Sequence, residues 1–137
     1  MSKSVVIDTN AYSAYKRGEK AAVQVIKEAQ TIVFSPIVLG ELLGGFALGK
    51  RADQNQRELK EFLDQPKVLF LTINAQTAEA YAHIYQQLRI KGTPIPSNDM
   101  WIAAMAEQLE IAVFTYDAHF STIEGLQIVR THLDLMD

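Results

Sequence analysis

Ser4-Val5-Val6-Ile7-Asp8-Thr9-Asn10 is the stretch whose reading decides the fold. Its first four residues, dominated by β-branched side chains, suit a buried strand, and Asp8-Thr9-Asn10 ends that strand in residues that open loops and helices. Thr31–Phe34 repeats the pattern, and Val68–Leu71 and Ile111–Phe114 are further apolar runs, each preceded by helical spacing. Gln127–Val129 fits a last strand. Ser35-Pro36 is a helix start, with serine at the N-cap and proline at the first helical position, so the spacing predicts a helix from Ile37 to about Leu48. Helical periodicity also marks Gln54–Leu63 and Ala75–Ile90. Gly92-Thr93-Pro94-Ile95-Pro96-Ser97-Asn98 is a loop, and Asp99–Leu109 then places Ile102, Ala103, Ala106 and Leu109 on one helix face. Strands alternating with helices predict an α/β fold, a mostly parallel central sheet covered by helices on both faces. Ligands of such sheets bind beyond the carboxyl ends of the strands.

Composition narrows the chemistry. The 137 residues, 48% of them apolar, are enough for one domain with its own core, 1–137, and show no repeat or low-complexity tract. There is no cysteine, so a disulfide framework and a thiolate metal site are both excluded, and any metal must be held by oxygen or imidazole. No basic region followed by a long apolar stretch opens the chain, and no uninterrupted run reaches membrane-spanning length. A cytoplasmic protein is the expectation. The net charge of −3 and the pI near 5.6 do not advertise nucleic-acid binding, so any such role must rest on metal ions and local basic clusters.

Four carboxylates stand out. Asp8 follows the first strand and Asp117 follows Ile111-Ala112-Val113-Phe114-Thr115-Tyr116, both where an α/β site would lie, although either can equally be a turn former or an N-cap. Glu41 shares a helix with Leu39, Leu42, Leu43, Phe46 and Leu48. Amid apolar surface a carboxylate costs several kcal/mol unless paired or metal-bound, whereas on a solvent face it needs no such explanation. Gly40, Gly44, Gly45 and Gly49 on or near the same helix each cost up to ~1 kcal/mol relative to alanine, which points to close approach of a backbone or ligand, or to fraying at the helix end. Asp99 heads the buried stripe of its helix, where it can complement the helix dipole or, if Ser97 or Asn98 supplies the cap, serve a ligand. Converging carboxylates repel and raise one another's pKa values, and a divalent cation removes that conflict. Oxygen ligation with retained waters is what Mg²⁺ and Mn²⁺ prefer, and such ions suit phosphodiester hydrolysis.

Four ordered blocks spread over nearly the whole chain are Val5-Val6-Ile7-Asp8-Thr9-Asn10, Ser35-Pro36-Ile37-Val38-Leu39-Gly40-Glu41-Leu42, Pro96-Ser97-Asn98-Asp99-Met100-Trp101-Ile102-Ala103-Ala104 and Val113-Phe114-Thr115-Tyr116-Asp117-Ala118-His119-Phe120. Their order and spacing resemble the PIN-domain family, and within it the VapC-type toxins of bacterial toxin–antitoxin pairs. The resemblance implies a PIN-like three-layer α/β/α domain and a Mg²⁺- or Mn²⁺-dependent endoribonuclease using a metal-activated water. It also implies that Asp8, Glu41, Asp99 and Asp117 are the acidic quartet that holds the metal, Asp8 and Asp99 as the surest ligands, with Thr9, Asn10, Asn98 and Thr115 supporting them. The partners it implies are an RNA substrate, a cognate VapB-type antitoxin and a second copy of the chain in a homodimer. No membrane is among them.

Other residues admit plainer readings. Lys50-Arg51 and the pair Arg89 and Lys91 could touch phosphates or simply be solvated helix ends. Trp101, Tyr12, Tyr15 and Tyr116 could stack on bases or pack in a core or dimer interface. His119 could bind metal, touch substrate or serve as a structural hydrogen-bonder, while His83 and His132 have no evident partner. A haloacid dehalogenase-type phosphatase needs a second acid two residues after the first, and that position is Asn10. A receiver domain lacks its paired acids and late lysine here. The remaining alternative is a PIN-like protein-binding module that keeps the acids without cutting RNA.

Overall fold

In the computed structural model, which describes residues 3–136, β1 (Ser4–Ile7) is the central strand of a five-stranded sheet. β2 (Thr31–Phe34) and β3 (Val68–Phe70) lie on one side of it, β4 (Ala112–Phe114) and β5 (Ile128–Val129) on the other. All four pairings are parallel, with Val6 opposite both Val33 and Val113. The apolar, unalternating strands follow from this, because a parallel strand is covered on both faces. Each of the first three crossovers is a helix pair: α1 (Thr9–Lys16) and α2 (Lys20–Glu28), α3 (Pro36–Ala47) and α4 (Ala52–Leu63), α5 (Ala75–Lys91) and α6 (Ser97–Leu109). Right-handed crossovers put α1 to α4 on one face and the returning pair α5 and α6 on the other, which makes the three layers. The chain leaves β1 toward β2 and later crosses back to β4. The carboxyl ends of β1 and β4 therefore flank the point where the strand order reverses, the place where such sheets bind ligands.

The core explains why these segments hold. On one face Tyr12, Phe34 and Phe62 meet edge-on or tilted, with centroids 5.2 to 6.1 Å apart, so α1, β2 and α4 share one aromatic cluster. On the other, the alanines of α6 (Ala103, Ala104, Ala106) are fully buried, and their small side chains let the helix approach β1 and β4. Ile84 and Leu88 bury α5 against α6, each contributing about 1.5–3 kcal/mol. The Ser35 hydroxyl caps α3 by accepting from Val38 N at 3.2 Å, with Pro36 in the first turn. Asn74 and Thr77 form a reciprocal capping box for α5.

Several expected boundaries shift. β3 ends at Phe70, β4 begins at Ala112, β5 begins at Ile128, α4 begins at Ala52, and α5 runs one residue further, to Lys91. The expected capping of α6 is corrected: the helix begins at Ser97 behind Pro96 and has no side-chain cap, so neither Ser97 nor Asn98 plays that part. α1 and α2 follow the first strand where periodicity had marked only a loop or helix start. Of the explanations offered for the α3 glycines, close backbone approach does not occur among the described residues, since a Cβ at Gly40, Gly44 or Gly45 would meet nothing within 4 Å. Among the described residues no helix is long and apolar enough to cross a membrane.

Candidate active site

Asp8 stands directly after β1 and is 4% exposed. One carboxylate oxygen accepts from Thr9 N at 2.8 Å, so Asp8 is the N-cap of α1, and the other accepts from the Thr115 hydroxyl at 2.7 Å. Thr115 follows β4 and is fully buried. Its oxygen also accepts from Asp117 N at 3.0 Å, so one hydroxyl ties the two strand-end acids together. Asn10 closes the same corner: its Oδ1 accepts from Tyr116 N at 3.0 Å. Asp117 in turn caps the short 3₁₀ turn Ala118–Thr122, accepting from His119 N at 2.8 Å. The modest reading of Asp8 and Asp117 as caps is thus correct, and it leaves open what their carboxylates face.

Glu41 is exposed, so the desolvation cost expected for an acid amid apolar surface does not apply to it. Its carboxylate is nonetheless held, by the Thr9 hydroxyl at 2.5 Å and by Asn98 Nδ2 at 3.3 Å. Asn98 is therefore not a cap but a link between the start of α6 and the middle of α3. Asp99, one residue on, has a side chain only 14% exposed and lies 3.1 Å from His119 Nδ1. The same nitrogen is 3.1 Å from Asp117, whose side chain is 30% exposed. Asp99, Asp117 and His119 each offer a donor atom within 4.8 Å of the others. Asp8 and Glu41 lie outside that compact set and are coupled to it by charge.

That coupling, together with burial, shifts the acidity of these groups. Burial pushes the Asp8 carboxyl from its ordinary 3.8 up to about 6, against the hydrogen bonds from Thr115 and Thr9, with the negative charges of Asp99 and Glu41 adding to the rise. Asp99 is raised as well, first by burial and then by Asp117 and Glu41, while the His119 bond opposes it. His119 is raised chiefly by its hydrogen bond to Asp99. Four acids from the end of β1, α3, α6 and the segment after β4 thus meet at the switch point, and among the described residues neither a lysine nor an arginine hydrogen-bonds or ion-pairs with them. The donor set, oxygen with one imidazole and no sulfur, fits a hard or borderline divalent cation. A groove of about 540 Å³ opens at the other end of the sheet, beside Ala112 at the start of β4, lined by His83, Glu107 and Glu110 among others. It lies away from the acids.

The remaining expectations resolve individually. Trp101 stacks on Tyr81 at 4.1 Å, Tyr12 belongs to the aromatic core, and the Tyr116 hydroxyl donates to Arg130 O at 2.8 Å. Lys91 donates to Thr122 O at 2.7 Å, and Arg89 sits over the Tyr85 ring, so both are engaged at the end of α5. His83 does have a partner, Glu107 at 3.0 Å, a contact between α5 and α6 that spacing along one chain could not reveal.

The PIN domain family model matches residues 5–126. Ribonuclease VapC5 of Mycobacterium tuberculosis is 24% identical over 128 residues, covering 91% of this chain and 93% of its own. Ribonuclease VapC1 of Haemophilus influenzae is 30% identical over 97 residues, covering 70% and 71%. A crystal structure of VapBC2 from Rickettsia felis bound to a DNA fragment from their promoter superposes with a TM-score of 0.81 at 26% identity, covering 91% of this chain and 96% of that one. With the family matched over most of its length on a parallel sheet of this order, the chain belongs to the PIN-domain family, among the relatives named ribonuclease VapC.

Proposed function

We propose that this chain is a metal-dependent endoribonuclease, the VapC-type toxin of a VapBC pair, and that Asp8, Glu41, Asp99 and Asp117 are its catalytic acids. The observation that carries the reading is the convergence of these four carboxylates at the switch point, with Asp8 buried and pushed up to about 6. His119 faces only Asp99 and Asp117, so repulsion among the four acids remains costly, and a Mg²⁺ or Mn²⁺ ion removes the cost. When bound, such an ion neutralises charge on a phosphodiester and makes a bound water more acidic.

The chain's own residues do the positioning. Thr115 aims one oxygen of Asp8 and holds the backbone of Asp117 in the same stroke. Asn10 fixes the backbone just beyond β4. Thr9 and Asn98 hold the exposed Glu41 at the mouth of the site, where a phosphodiester arrives. In hydrolysis a water oxygen adds to phosphorus, one P–O bond breaks and the leaving oxygen takes up a proton. Asp8 and Asp99 are the ligands we rank first, with Glu41 and Asp117 holding the ion directly or through water.

The same proposal includes a VapB-type antitoxin, homodimerisation, a cytoplasmic setting in which RNA is met, and one PIN-like unit spanning 1–137. The names of the relatives, ribonuclease VapC and VapBC, support the nuclease and the antitoxin parts of it.

Cleavage of a mixed RNA pool by the purified protein with Mg²⁺ or Mn²⁺ tests the reading, beside an EDTA control and the Asp8→Asn and Asp99→Asn variants. The expected result is cation-dependent cleavage lost in both variants. Cleavage equal in wild type and variants would refute the assignment of the site, and binding of a partner protein with no cleavage would favour a binding module.

A further inference from the structure

His119 is the one non-acidic side chain in the compact donor set. We propose that its Nδ1 is a nitrogen ligand of the cation, beside Asp99 and Asp117, and that it biases the site toward Mn²⁺ over Mg²⁺. The inference rests on the reading of the carboxylates as a divalent-cation site and adds a residue outside the acidic quartet.

Three features of the geometry point to it. The first is spacing. Neighbouring corners of an octahedron with bonds of about 2.1 Å are about 3 Å apart. His119 Nδ1 lies 3.1 Å from an Asp99 oxygen and 3.1 Å from an Asp117 oxygen, so all three atoms can face one ion with little movement. The second is preorganisation. His119 N donates to Asp117, the His119 carbonyl accepts from the Thr122 hydroxyl at 2.8 Å, and the next residue, Phe120, is fully buried. The 3₁₀ turn thus presents the ring over the acids from a fixed backbone. The third is access: the side chain is 51% exposed, so the nitrogen can exchange its carboxylate contacts for an ion without unburying anything.

The chemistry then sets the preference. Imidazole is a poor ligand for Mg²⁺, which holds to oxygen and water, and a better one for first-row transition ions. A site of carboxylates alone would discriminate weakly between Mg²⁺ and Mn²⁺. Adding one nitrogen tips it.

Electron spin-echo spectroscopy of the intact protein loaded with Mn²⁺ reads the bond directly, through coupling of the ion to imidazole ¹⁴N. Calorimetric titration with Mn²⁺ and with Mg²⁺ reads the preference. The expected result is ¹⁴N coupling in the wild type, lost in His119→Gln, with Mn²⁺ affinity falling about tenfold and Mg²⁺ affinity nearly unchanged. Mn²⁺ bound by the wild type without ¹⁴N coupling would overturn this inference and leave the carboxylate site standing. No Mn²⁺ binding by the wild type, with Asp99→Asn indistinguishable from it, would overturn both.

Discussion

Asp8→Asn should make the cation-free protein more stable at neutral pH while abolishing its cleavage activity. Asp8 is buried, and its carboxyl is raised from 3.8 to about 6, chiefly by desolvation. A raised carboxyl pKa means that the folded chain holds the proton between about 6 and 3.8 while the unfolded chain has released it, so stability rises as pH falls through that window. Above about 6 the buried charge is paid for in full, and at 1.36 kcal/mol per pKa unit the interval corresponds to about 3 kcal/mol. Asparagine carries no charge and can still accept from Thr9 N, and its amide can donate to Thr115 Oγ1. The expected gain is therefore about 2–3 kcal/mol at pH 7.5, shrinking toward zero near pH 4. Urea unfolding of wild type and variant in EDTA at several pH values measures it, and the other acids largely cancel in the difference. A cation at about a hundred times its dissociation constant stabilises the wild type by roughly 2.7 kcal/mol and should close the gap at neutral pH. A variant no more stable than wild type at pH 7.5, or a difference that does not change between pH 7.5 and 4, would refute the reasoning.

Thr115→Val removes the hydroxyl that donates to Asp8 and accepts from Asp117 N; stability at pH 7.5 should fall by about 1–3 kcal/mol and RNA cleavage should drop, whereas Thr115→Ser should retain most of both, as unfolding curves and cleavage assays will show. Glu110, the one non-glycine residue at positive φ among the described residues (φ 57), closes α6 in the left-handed conformation, so Glu110→Gly should raise stability by about 0.5–1 kcal/mol by the same urea assay without altering cleavage.

How far the sequence could be read depends on the range of each interaction. Strands covered on both faces announce themselves as apolar runs, and Ser35-Pro36 announces α3, because those signals are local. The positions of Asp8 and Asp117 at strand ends were legible for the same reason. The premise about Glu41 was not: helical neighbours that are apolar do not say which way a given residue faces, and Leu43 and Leu48 on that helix are themselves exposed. α1 escaped assignment because Thr9–Lys16 mixes small and aromatic residues, and Tyr12 meets Phe34 and Phe62 only in the folded domain; α2 had a local signal, the stripe of Ala22, Val25 and Ile26, that was missed. The link from Thr115 to Asp8 spans 107 positions and that from His119 to Asp99 spans 20. Such partners are set by the sheet order, which no motif spacing encodes.

The site is graded in burial, and the grading has a consequence. Asp8 is buried, Asp99 and Asp117 are progressively more open, and Glu41 and His119 stand at the solvent. Charge on the buried end is costly and held by rigid donors, the first backbone N–H of α1 and a fully buried hydroxyl. Charge on the open end costs little and is held by Thr9 and Asn98, which water can replace. An ion is bound most tightly where the unpaired charge is most costly, so the deep acids anchor it, and the shallow Glu41 and His119 complete its surroundings on the side where a phosphodiester arrives. Substitutions at Asp8 then act through both stability and chemistry, whereas those at the exposed Glu41 act on ion and substrate with little effect on stability. The low stability that Asp8 imposes on the cation-free protein and the affinity of the site for a cation have one cause, a carboxylate folded into the end of a central strand whose hydrogen-bond donors, Thr9 N and the Thr115 hydroxyl, carry no positive charge.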